Sequence, residues 1–285
     1  FKDKYRSQLR LFVGDIRDAD RLYKAFECVN VVYHCAALKH VYLSEYNPFE
    51  AMQTNIAGTN NVINAAIRAN VDKVIYTSSD KAVNPTSTMG ATKLLGERLI
   101  TAANQHTGVH NTKFASVRFG NVLNTSGSVL SIFRDQIKNS EPLTITSKDM
   151  TRFFLSMSHA LDLCVHAAEN MVGGEIFVKN MGCCSIMSLA KAVSRTSDFK
   201  YEIIGHKPGE KAYEELVTQS EVERTVYSGS WYTILPDTLD PDSSVAAEYK
   251  KSYGKLQHID GPITSESNML SDEEVYSMLN DDELL

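Results

Sequence analysis

The first 120 residues of this chain alternate short apolar runs with helical patterns, and this alternation restricts the fold more than any other feature. The apolar runs have the length of buried strands and span residues 11–13, 31–37, 71–78 and 112–118. The helical patterns lie between them, at residues 18–26, 48–69 and 88–104. Strands and helices in this order form right-handed βαβ units. The pattern therefore predicts an α/β fold with a doubly wound parallel sheet.

The pattern becomes looser after Ser128 and predicts a smaller α/β lobe. Its expected elements are strands at 150–154, 173–178 and 201–205 and helices at 158–170 and 188–195. Periodicity is weak from Tyr227 onward, where one short helix is expected at 272–278 within an acidic, serine-rich end. The predicted divisions are residues 1–130, 131–226 and 227–285.

Polar or small residues follow four of the predicted strands. They are Gly14-Asp15, Ala36-Ala37-Leu38-Lys39, Ser78-Ser79-Asp80-Lys81 and Arg118-Phe119-Gly120-Asn121. Ligands of open α/β sheets bind beyond the carboxyl ends of the strands. Each cluster alone is equally typical of a capped turn, but four in succession predict a ligand cleft.

A glycine-rich fingerprint before a helix is absent from the sequence. Yet the run Leu11-Phe12-Val13-Gly14-Asp15 is typical of a middle strand in a dinucleotide-binding fold. The first βαβ unit, which would hold the pyrophosphate, is therefore expected upstream of Phe1.

Composition excludes several other classes of protein. The net charge of −6 gives no basis for nucleic-acid binding, and 43% hydrophobic residues argue against disorder. The longest apolar runs are shorter than the ~20 residues of a membrane helix. Five scattered cysteines and eight histidines show no disulfide framework or metal-ligand spacing, so we predict no metal and a reduced, cytoplasmic compartment.

The residues with the clearest chemical potential are Asp80, Lys81, Met89 and Lys93. Met89 and Lys93 lie one helical turn apart and face the same way. Met89 cannot transfer a proton, so acid–base work falls to Asp80 and Lys81. Burial that lowered the pKa of Lys81 toward neutrality would make it a usable base. The spacing alone slightly favours the alternative of a surface turn pair beside a core methionine.

Seven motifs occur in order between about Leu11 and Leu216, and together they closely resemble the UDP-N-acetylglucosamine 4,6-dehydratases of the extended short-chain dehydrogenase superfamily. The motifs are His34-Cys35-Ala36-Ala37-Leu38-Lys39-His40-Val41, Thr54-Asn55-Ile56-x-Gly58-Thr59-x-Asn61-Val62, Ser79-Asp80-Lys81-Ala82-Val83-x-Pro85-Thr86, Met89-Gly90-Ala91-Thr92-Lys93, Val117-Arg118-Phe119-Gly120-Asn121-Val122-Leu123, Met150-Thr151-Arg152-Phe153-Phe154 and Pro208-Gly209-Glu210-Lys211. The resemblance implies a Rossmann-like cofactor domain at 1–130, a mainly substrate-binding lobe at 131–226 and a C-terminal extension at 227–285.

The resemblance also implies a reaction and its catalytic residues. Bound NADP or NAD takes a hydride from carbon 4 of UDP-N-acetylglucosamine, water is eliminated across carbons 5 and 6, and the hydride returns to carbon 6. Asp80 is then the acid for water loss and Lys81 the base at carbon 5, which favours inversion there. Ser79 would bond the oxygen on carbon 4, and Lys93 would hold the nicotinamide ribose. Met89 stands where the family usually has tyrosine.

Binding residues are implied in the same way. Cofactor contacts are expected from Asp15, Ile16, Ala36, Ala37, Lys39, Thr77, Ser78, Met89 and Lys93. Substrate contacts are expected from Lys39, Asn121, Arg152, Lys207 and Glu210. Lys207 replaces the usual arginine and cannot form a bidentate fork with phosphate.

The charge run of Glu210-Lys211 and Glu214-Glu215 has two interpretations, a solvated helix face or a lid near the uridine diphosphate.

Two other functions stay open beside a lyase for glycan synthesis that acts as a homo-oligomer. One is a nucleotide-sugar 4-epimerase or reductase, although an epimerase needs no acid for water loss. The other is a catalytically impaired cofactor-binding homologue, which Met89 and the absent fingerprint favour.

Overall fold

The computed structural model describes residues 5, 7–125, 127–196, 198–237 and 242–281. Its helices are α1 (Ala19–Phe26), α2 (Val41–Tyr46), α3 (Pro48–Met52), α4 (Gly58–Arg68), α5 (Thr88–Ala103), α6 (Val129–Lys138), α7 (Met157–Asn170), α8 (Ile186–Ser194), α9 (Ser244–Tyr253) and α10 (Asp272–Asp281). A π-helical turn (Gln53–Ala57) joins α3 to α4, and 3₁₀ turns span Asp80–Ala82 and Gln219–Arg224.

Its strands are β1 (Val31–His34), β2 (Lys73–Thr77), β3 (Lys113–Arg118), β4 (Asn121–Val122), β5 (Leu143–Ile145), β6 (Thr151–Leu155), β7 (Ile176–Lys179), β8 (Cys183–Ser185), β9 (Tyr201–Ile203), β10 (Glu215–Val217), β11 (Thr225–Ser228), β12 (Trp231–Ile234), β13 (Gln257–His258) and β14 (Ile263–Thr264). The largest sheet has the order β1-β2-β3-β7-β12-β11-β13. Its first four strands are parallel, and the last three pair antiparallel.

Helices cover both faces of the parallel strands, which confirms the predicted α/β class. Strand residues alternate between the two faces of a sheet, so neighbours on β2 reach opposite cores. Val74 and Tyr76 pack with α4 and α5, whereas Ile75 packs with α7. All three side chains are buried, which ties both helical layers to one strand.

A second core lies away from the large sheet. It is built from α6, β5, β6, α8 and α10. Val275 and Leu279 of α10 are fully buried in it, so the helix predicted near the acidic end packs against this core. The predicted boundaries at 130 and 226 do not separate the sheets, because β7, β11, β12 and β13 all extend the large sheet. The assignment of 131–226 to substrate stays a prediction.

The strand predicted at Leu11-Phe12-Val13 is wrong. This segment has no strand assignment, and Leu11 and Val13 are 79% and 87% exposed. An extended segment becomes a strand only when a neighbour completes its hydrogen bonds, and among the described residues β1 pairs with β2 alone. The strand predicted at 31–37 is also shorter and half exposed, since Val31 and Tyr33 face outward from β1.

None of the described helices combines the length and apolar character needed to cross a membrane. All five cysteines are free thiols. The cytoplasmic location and the homo-oligomeric assembly stay predictions.

Candidate active site

A cavity of about 650 Å³ lies beyond the carboxyl ends of β1, β2 and β3. Its volume falls within the range of about 300–1,000 Å³ typical of small-molecule sites. The sequence-predicted site residues that line it are Ala37, Lys39, Thr77, Ser78, Ser79, Lys81, Met89, Lys93, Asn121, Arg152, Lys207 and Glu210. The cleft predicted from the strand ends is therefore present.

Four predicted site residues do not line this cavity. Asp80 is fully buried directly behind its wall. Asp15 lies on the surface, where its carboxylate pairs with Arg17 at 2.7 Å. Ile16 packs beside Gly58, and Ala36 is exposed. The roles of Asp15, Ile16 and Ala36 in cofactor binding stay predictions.

A short turn after β2 brings Asp80 and Lys81 to the cavity. Ser79 caps this turn, because its Oγ accepts a hydrogen bond from the Lys81 backbone N–H at 3.2 Å. The Asp80 N–H donates to the Phe119 carbonyl at 3.0 Å, which ties the turn to the chain after β3. A Cβ at Gly90 would lie 2.2 Å from the Lys81 carbonyl oxygen. Only glycine therefore lets α5 approach the turn so closely.

The Asp80 carboxylate uses one oxygen for its contacts. Oδ1 accepts hydrogen bonds from Ser79 Oγ at 2.7 Å and from Lys81 Nζ at 3.0 Å. Oδ2 is buried and has no hydrogen-bond partner among the described residues. A buried acceptor without a partner is uncommon in a folded protein.

Lys81 lies between Asp80 and two other side chains. Its Nζ donates to Asn121 Oδ1 at 3.2 Å and is 3.7 Å from Glu214 Oε1. Burial lowers the pKa of Lys81, but the carboxylates of Asp80 and Glu214 together raise it by more than burial lowers it. The pKa of Lys81 is therefore above its ordinary value. Burial alone therefore does not make Lys81 a neutral base, contrary to the condition set from the sequence.

The pKa of Lys93 is shifted downward, opposite to that of Lys81. It is buried on α5, donates to the Thr77 carbonyl at 2.8 Å, and has its Nζ 4.8 Å from the centre of the Tyr76 ring. Burial lowers its pKa to about 8, against smaller upward effects of Cys35 and Glu97. Lys93 can thus exchange a proton near neutral pH.

Met89, one turn before Lys93, is buried in the cavity wall, so it is both a packing residue and a site residue.

Asn55 positions the loop after β1, a role that sequence reasoning missed. Its Oδ1 accepts from the Leu38 N–H at 2.8 Å, and its Nδ2 donates to the Leu38 carbonyl at 3.0 Å and to Thr92 Oγ1 at 2.9 Å. Asn55 sits in the π-helical turn, a conformation that often marks functional sites. Its position within the motif Thr54-Asn55-Ile56 was the available signal.

Arg152 is buried and binds backbone carbonyls within and next to the charge run. Its guanidinium donates to the carbonyls of Thr151, Ala212 and Lys211 at 2.7, 3.1 and 2.8 Å. These bonds hold residues 211–212 against β6. A diphosphate contact from Arg152 stays a prediction.

The charge run itself is neither a helix nor fully solvated. Glu214 is 2% exposed, lines the cavity and immediately precedes β10. The Lys211 side chain is also largely buried, and its Nζ donates to the Val83 carbonyl at 2.5 Å. The helix-face interpretation is therefore wrong, and Glu214 is a site residue that the sequence pattern concealed.

Lys207 and Glu210 form a turn at the cavity. The Lys207 N–H donates to Glu210 Oε2 at 3.1 Å, and Thr86 Oγ1 donates to the Gly209 carbonyl at 3.1 Å. Gly209 has a φ of +80°, and a Cβ there would lie 2.8 Å from Ser87 Cβ. The turn therefore packs on the start of α5 through a glycine.

Residues 1–236 match the model of the polysaccharide biosynthesis protein family. The chain belongs to this family. An inverting UDP-N-acetylglucosamine 4,6-dehydratase of Campylobacter jejuni is 36% identical over 277 residues, which cover 95% of this chain and 82% of that protein. A UDP-glucose 4-epimerase of Rickettsia rickettsii is 37% identical over 274 residues, which cover 95% of this chain and 80% of that protein. The predicted family is confirmed.

Solved structures agree with this placement. The X-ray structure of Pen from Bacillus thuringiensis has a TM-score of 0.89 and 39% identity, and the match covers 100% of this chain and 86% of that chain. A dTDP-glucose 4,6-dehydratase from Streptomyces venezuelae, solved with NAD and TYD bound, has a TM-score of 0.64 and 19% identity over 70% of this chain and 68% of that chain. The second likeness shows the Rossmann-like fold alone.

Proposed function

We propose that this protein is a lyase that dehydrates UDP-N-acetylglucosamine to a UDP-4-keto-6-deoxy-N-acetylhexosamine, with inversion at carbon 5. The observation that carries the proposal is the Asp80–Lys81 pair, joined at 3.0 Å and placed at the cavity wall. An adjacent acid and base suit the elimination of water across carbons 5 and 6. The C. jejuni relative, named as an inverting dehydratase, supports the same substrate and outcome.

The residues around the cavity fit a nicotinamide dinucleotide, either NADP or NAD. Lys93 and Thr77 form a polar wall, and Ser78 has a buried hydroxyl without a hydrogen-bond partner in the described part of the chain. Such a hydroxyl can bond an incoming ligand. Small Ala37 leaves room beside Lys39. When bound, the cofactor oxidises carbon 4 transiently and so acidifies the proton on carbon 5.

A proton must move from Lys81 to Asp80 before this pair can catalyse the elimination. The resting ion pair has the charged forms of both groups, whereas elimination needs a neutral amine and a protonated acid. Movement of one proton across the 3.0 Å contact produces both at once. Lys81 then takes the proton from carbon 5, and Asp80 gives its proton to the hydroxyl that leaves carbon 6.

Other residues orient the sugar and handle the remaining proton. Asn121 is bonded to Lys81 and lies where it can fix the sugar beside the base. Ser79 faces the cavity while its hydroxyl holds Asp80. Because Met89 has no exchangeable proton, Lys93, with a pKa of about 8, is the group that receives the proton of the hydroxyl on carbon 4, directly or through water.

The cations and turn at the cavity wall supply the diphosphate contacts. Lys39, Lys207 and Arg152 line the same cavity as the acid–base pair. Lysine and arginine form charge-assisted bonds with phosphate oxygens. Glu210 holds the Lys207 turn in shape.

The proposal is tested by incubating the purified protein with UDP-N-acetylglucosamine and either cofactor. Mass spectrometry should show the loss of one water from the sugar nucleotide. The Lys81→Ala variant should lose exchange of the carbon-5 proton with deuterated solvent, because it lacks the base. Lys138→Ala, on the exposed face of α6, is the matched control and should exchange normally. Wild-type exchange in Lys81→Ala would exclude Lys81 as the base.

A second candidate is a nucleotide-sugar 4-epimerase, which the 37% identity to the Rickettsia relative favours. An epimerase leaves the mass of the sugar nucleotide unchanged and requires no acid for water loss. A 4-epimer of unchanged mass would therefore replace the lyase proposal. Unaltered substrate with both cofactors would instead support the impaired homologue considered from the sequence.

A further inference from the structure

Glu214 is fixed by its backbone but loosely held by its carboxylate. Its N–H donates to Ser265 Oγ at 2.9 Å, and its carbonyl accepts from the Ser265 N–H at 2.8 Å. Its carboxylate oxygens lie 3.7 Å from Lys81 Nζ, 3.9 Å from Arg152 Nε and 3.8 Å from Lys211 Nζ. Each of these distances is longer than a hydrogen bond.

Three other buried carboxylates, those of Glu97, Glu175 and Glu221, are bound much more tightly. Both oxygens of Glu97 and of Glu221 accept hydrogen bonds from Arg118. Both oxygens of Glu175 accept hydrogen bonds as well. By contrast, Glu214 Oε2 is buried without a hydrogen-bond partner in the part of the chain that the structure describes.

An under-satisfied buried carboxylate costs stability and suggests a use beyond packing. Burial and the nearby Asp80 raise the pKa of Glu214, while Lys81, Arg152 and Lys211 act in the opposite direction.

We infer that Glu214 is a positioning residue for the Asp80–Lys81 pair. This inference rests on the function proposed above. Glu214 holds the Lys81 ammonium beside the cavity, with its Oε1 3.7 Å from Lys81 Nζ. When Lys81 gives its proton to Asp80, the Glu214 carboxylate still balances the charges of Arg152 and Lys211. The catalytic pair can then change its protonation without leaving uncompensated cations in the wall.

The charges that face Lys81 determine the direction in which its pKa should change when Glu214 is replaced. Asp80 and Glu214 raise the pKa of Lys81, and Arg152 lowers it. Replacement of Glu214 by neutral glutamine removes one of the two charges that raise the pKa of Lys81, while the lowering effect of Arg152 stays. The pKa of Lys81 should therefore fall. One opposite charge at this range shifts a pKa by roughly one unit or more.

The first test needs no substrate. Wild type, Glu214→Gln and Glu215→Gln are labelled briefly with acetic anhydride at pH 9, and mass spectrometry gives the acetylation rate of Lys81 relative to exposed Lys138. Lys81 in Glu214→Gln should react roughly three- to tenfold faster, because more of it is neutral. Glu215, the adjacent carboxylate, bonds Asn84 instead of Lys81 and is the matched control. Its variant should react at the wild-type rate.

Equal Lys81 reactivity in wild type and Glu214→Gln would overturn the inference. If Glu214→Gln does not fold, Glu214→Asp retains the charge but retracts it by one methylene, and a smaller acceleration is then expected. An unchanged rate in folded Glu214→Asp would in that case overturn the inference.

The second test uses the proposed reaction. The rate of carbon-5 proton exchange should rise with pH as Lys81 loses its proton, and this rise should occur roughly one pH unit lower in Glu214→Gln than in wild type. A lower rate with an unshifted profile would indicate a structural role only and overturn the inference. If wild type does not process UDP-N-acetylglucosamine, the proposed function fails, while the labelling experiment still decides the effect of Glu214 on Lys81.

Discussion

Lys93 is buried and Lys81 is half-buried at the same cavity, yet their pKa values move in opposite directions. Two carboxylates, Asp80 and Glu214, lie within 4 Å of the Lys81 ammonium. Lys93 has instead a neutral carbonyl from Thr77. Burial penalises a charge in both cases, and the nearby charges decide the net direction.

This contrast predicts a pH-dependent stability that Lys93 controls. Its folded pKa of about 8 lies below the ordinary 10.5, so the unfolded chain binds more protons between these values. The folded state therefore gains stability as pH rises from about 8 to 10.5, by roughly 1–3 kcal/mol. Lys93→Met lacks this gain. Urea denaturation should show the variant more stable than wild type at pH 7, with a difference that narrows by pH 10.

Lys138→Met on the exposed face of α6 is the control, since it should show the same pH dependence as wild type. A difference between Lys93→Met and wild type that stays constant from pH 7 to 10 would contradict the prediction.

Ordered motifs predicted many of the residues that line the cavity, but not their polar partners. Lys81 and Asn121 were identified because they follow strand ends within short ordered motifs, and Lys93 because it lies one helical turn after Met89 in another motif. Glu214 was not, because its neighbours form a charge run that is usually solvated. Its burial depends on Arg152, which binds residues 211–212 from a strand some 60 positions away. A local pattern does not contain that contact.

At the scale of elements, the close approach of α5 to the Asp80–Ala82 turn determines where Lys81 lies. Ser87 caps α5 by accepting from the Gly90 N–H at 3.1 Å, and Gly90 itself touches the turn. The helix and the turn therefore share one rigid contact.

Gly90→Ala should disrupt this contact. The new Cβ would lie 2.2 Å from the backbone oxygen of Lys81, so either the helix or the turn must shift. A displacement of the base by even a fraction of an ångström lowers catalysis, and we expect about a tenfold to hundredfold loss of carbon-5 exchange. Gly261→Ala is the control, because a Cβ there meets no atom within 4 Å. Equal exchange rates in the two variants would show that the approach is not critical.

Helices and strands of the first half were predictable where apolar residues recurred at a regular spacing and polar or small residues marked the end of the element. α1 falls inside the pattern predicted at 18–26, and β2 and β3 fall inside their predicted ranges. The run at 11–13 failed, because strand formation depends on a pairing partner and not on apolar character alone.

At the scale of the molecule, a buried ionic cluster joins distant segments of the chain. Arg118 on β3 bonds Glu97 on α5 at 2.7 Å and Glu221 in the 3₁₀ turn at 3.1 Å. Its Nη1 also donates to the Leu216 carbonyl at 2.7 Å. Three strands after Glu221, β11, β12 and β13, extend the large sheet. Arg118 thus connects the centre of the molecule to residues a hundred positions later.

Arg118→Met should strongly destabilise the whole protein. It removes the buried cation that both Glu97 and Glu221 share and leaves Glu221 with Arg224 at 3.5 Å, which costs about 3–5 kcal/mol. Urea denaturation should show this loss at neutral pH, and the loss should shrink at acidic pH, where the carboxylates are protonated in both the folded and the unfolded state. Arg98→Met is the control, because Arg98 pairs with Asp237 on the surface. A change below about 1 kcal/mol in Arg118→Met would contradict the prediction.

The whole sheet was harder to predict than its first strands. β11 and β12 are four residues each and pair with each other, and β12 also pairs with β7, which lies about 50 positions earlier. Such strands have too few residues to show a clear period, and their partner is set by tertiary packing. The predicted extension at 227–285 is for that reason divided between the large sheet and the second core.

The π-helical turn at Gln53–Ala57 has a consequence for how this protein can be made more stable. A π turn accommodates an extra residue, so the side chains after it are rotated by about 100° relative to an uninterrupted α-helix. Deletion of one residue there would allow a regular helix from Pro48 to Arg68 and a better local backbone. The same deletion would turn Asn55 away from Leu38 and release the loop that borders the cavity. A deletion that raises the thermal stability of this helix is therefore expected to weaken ligand binding at the cavity.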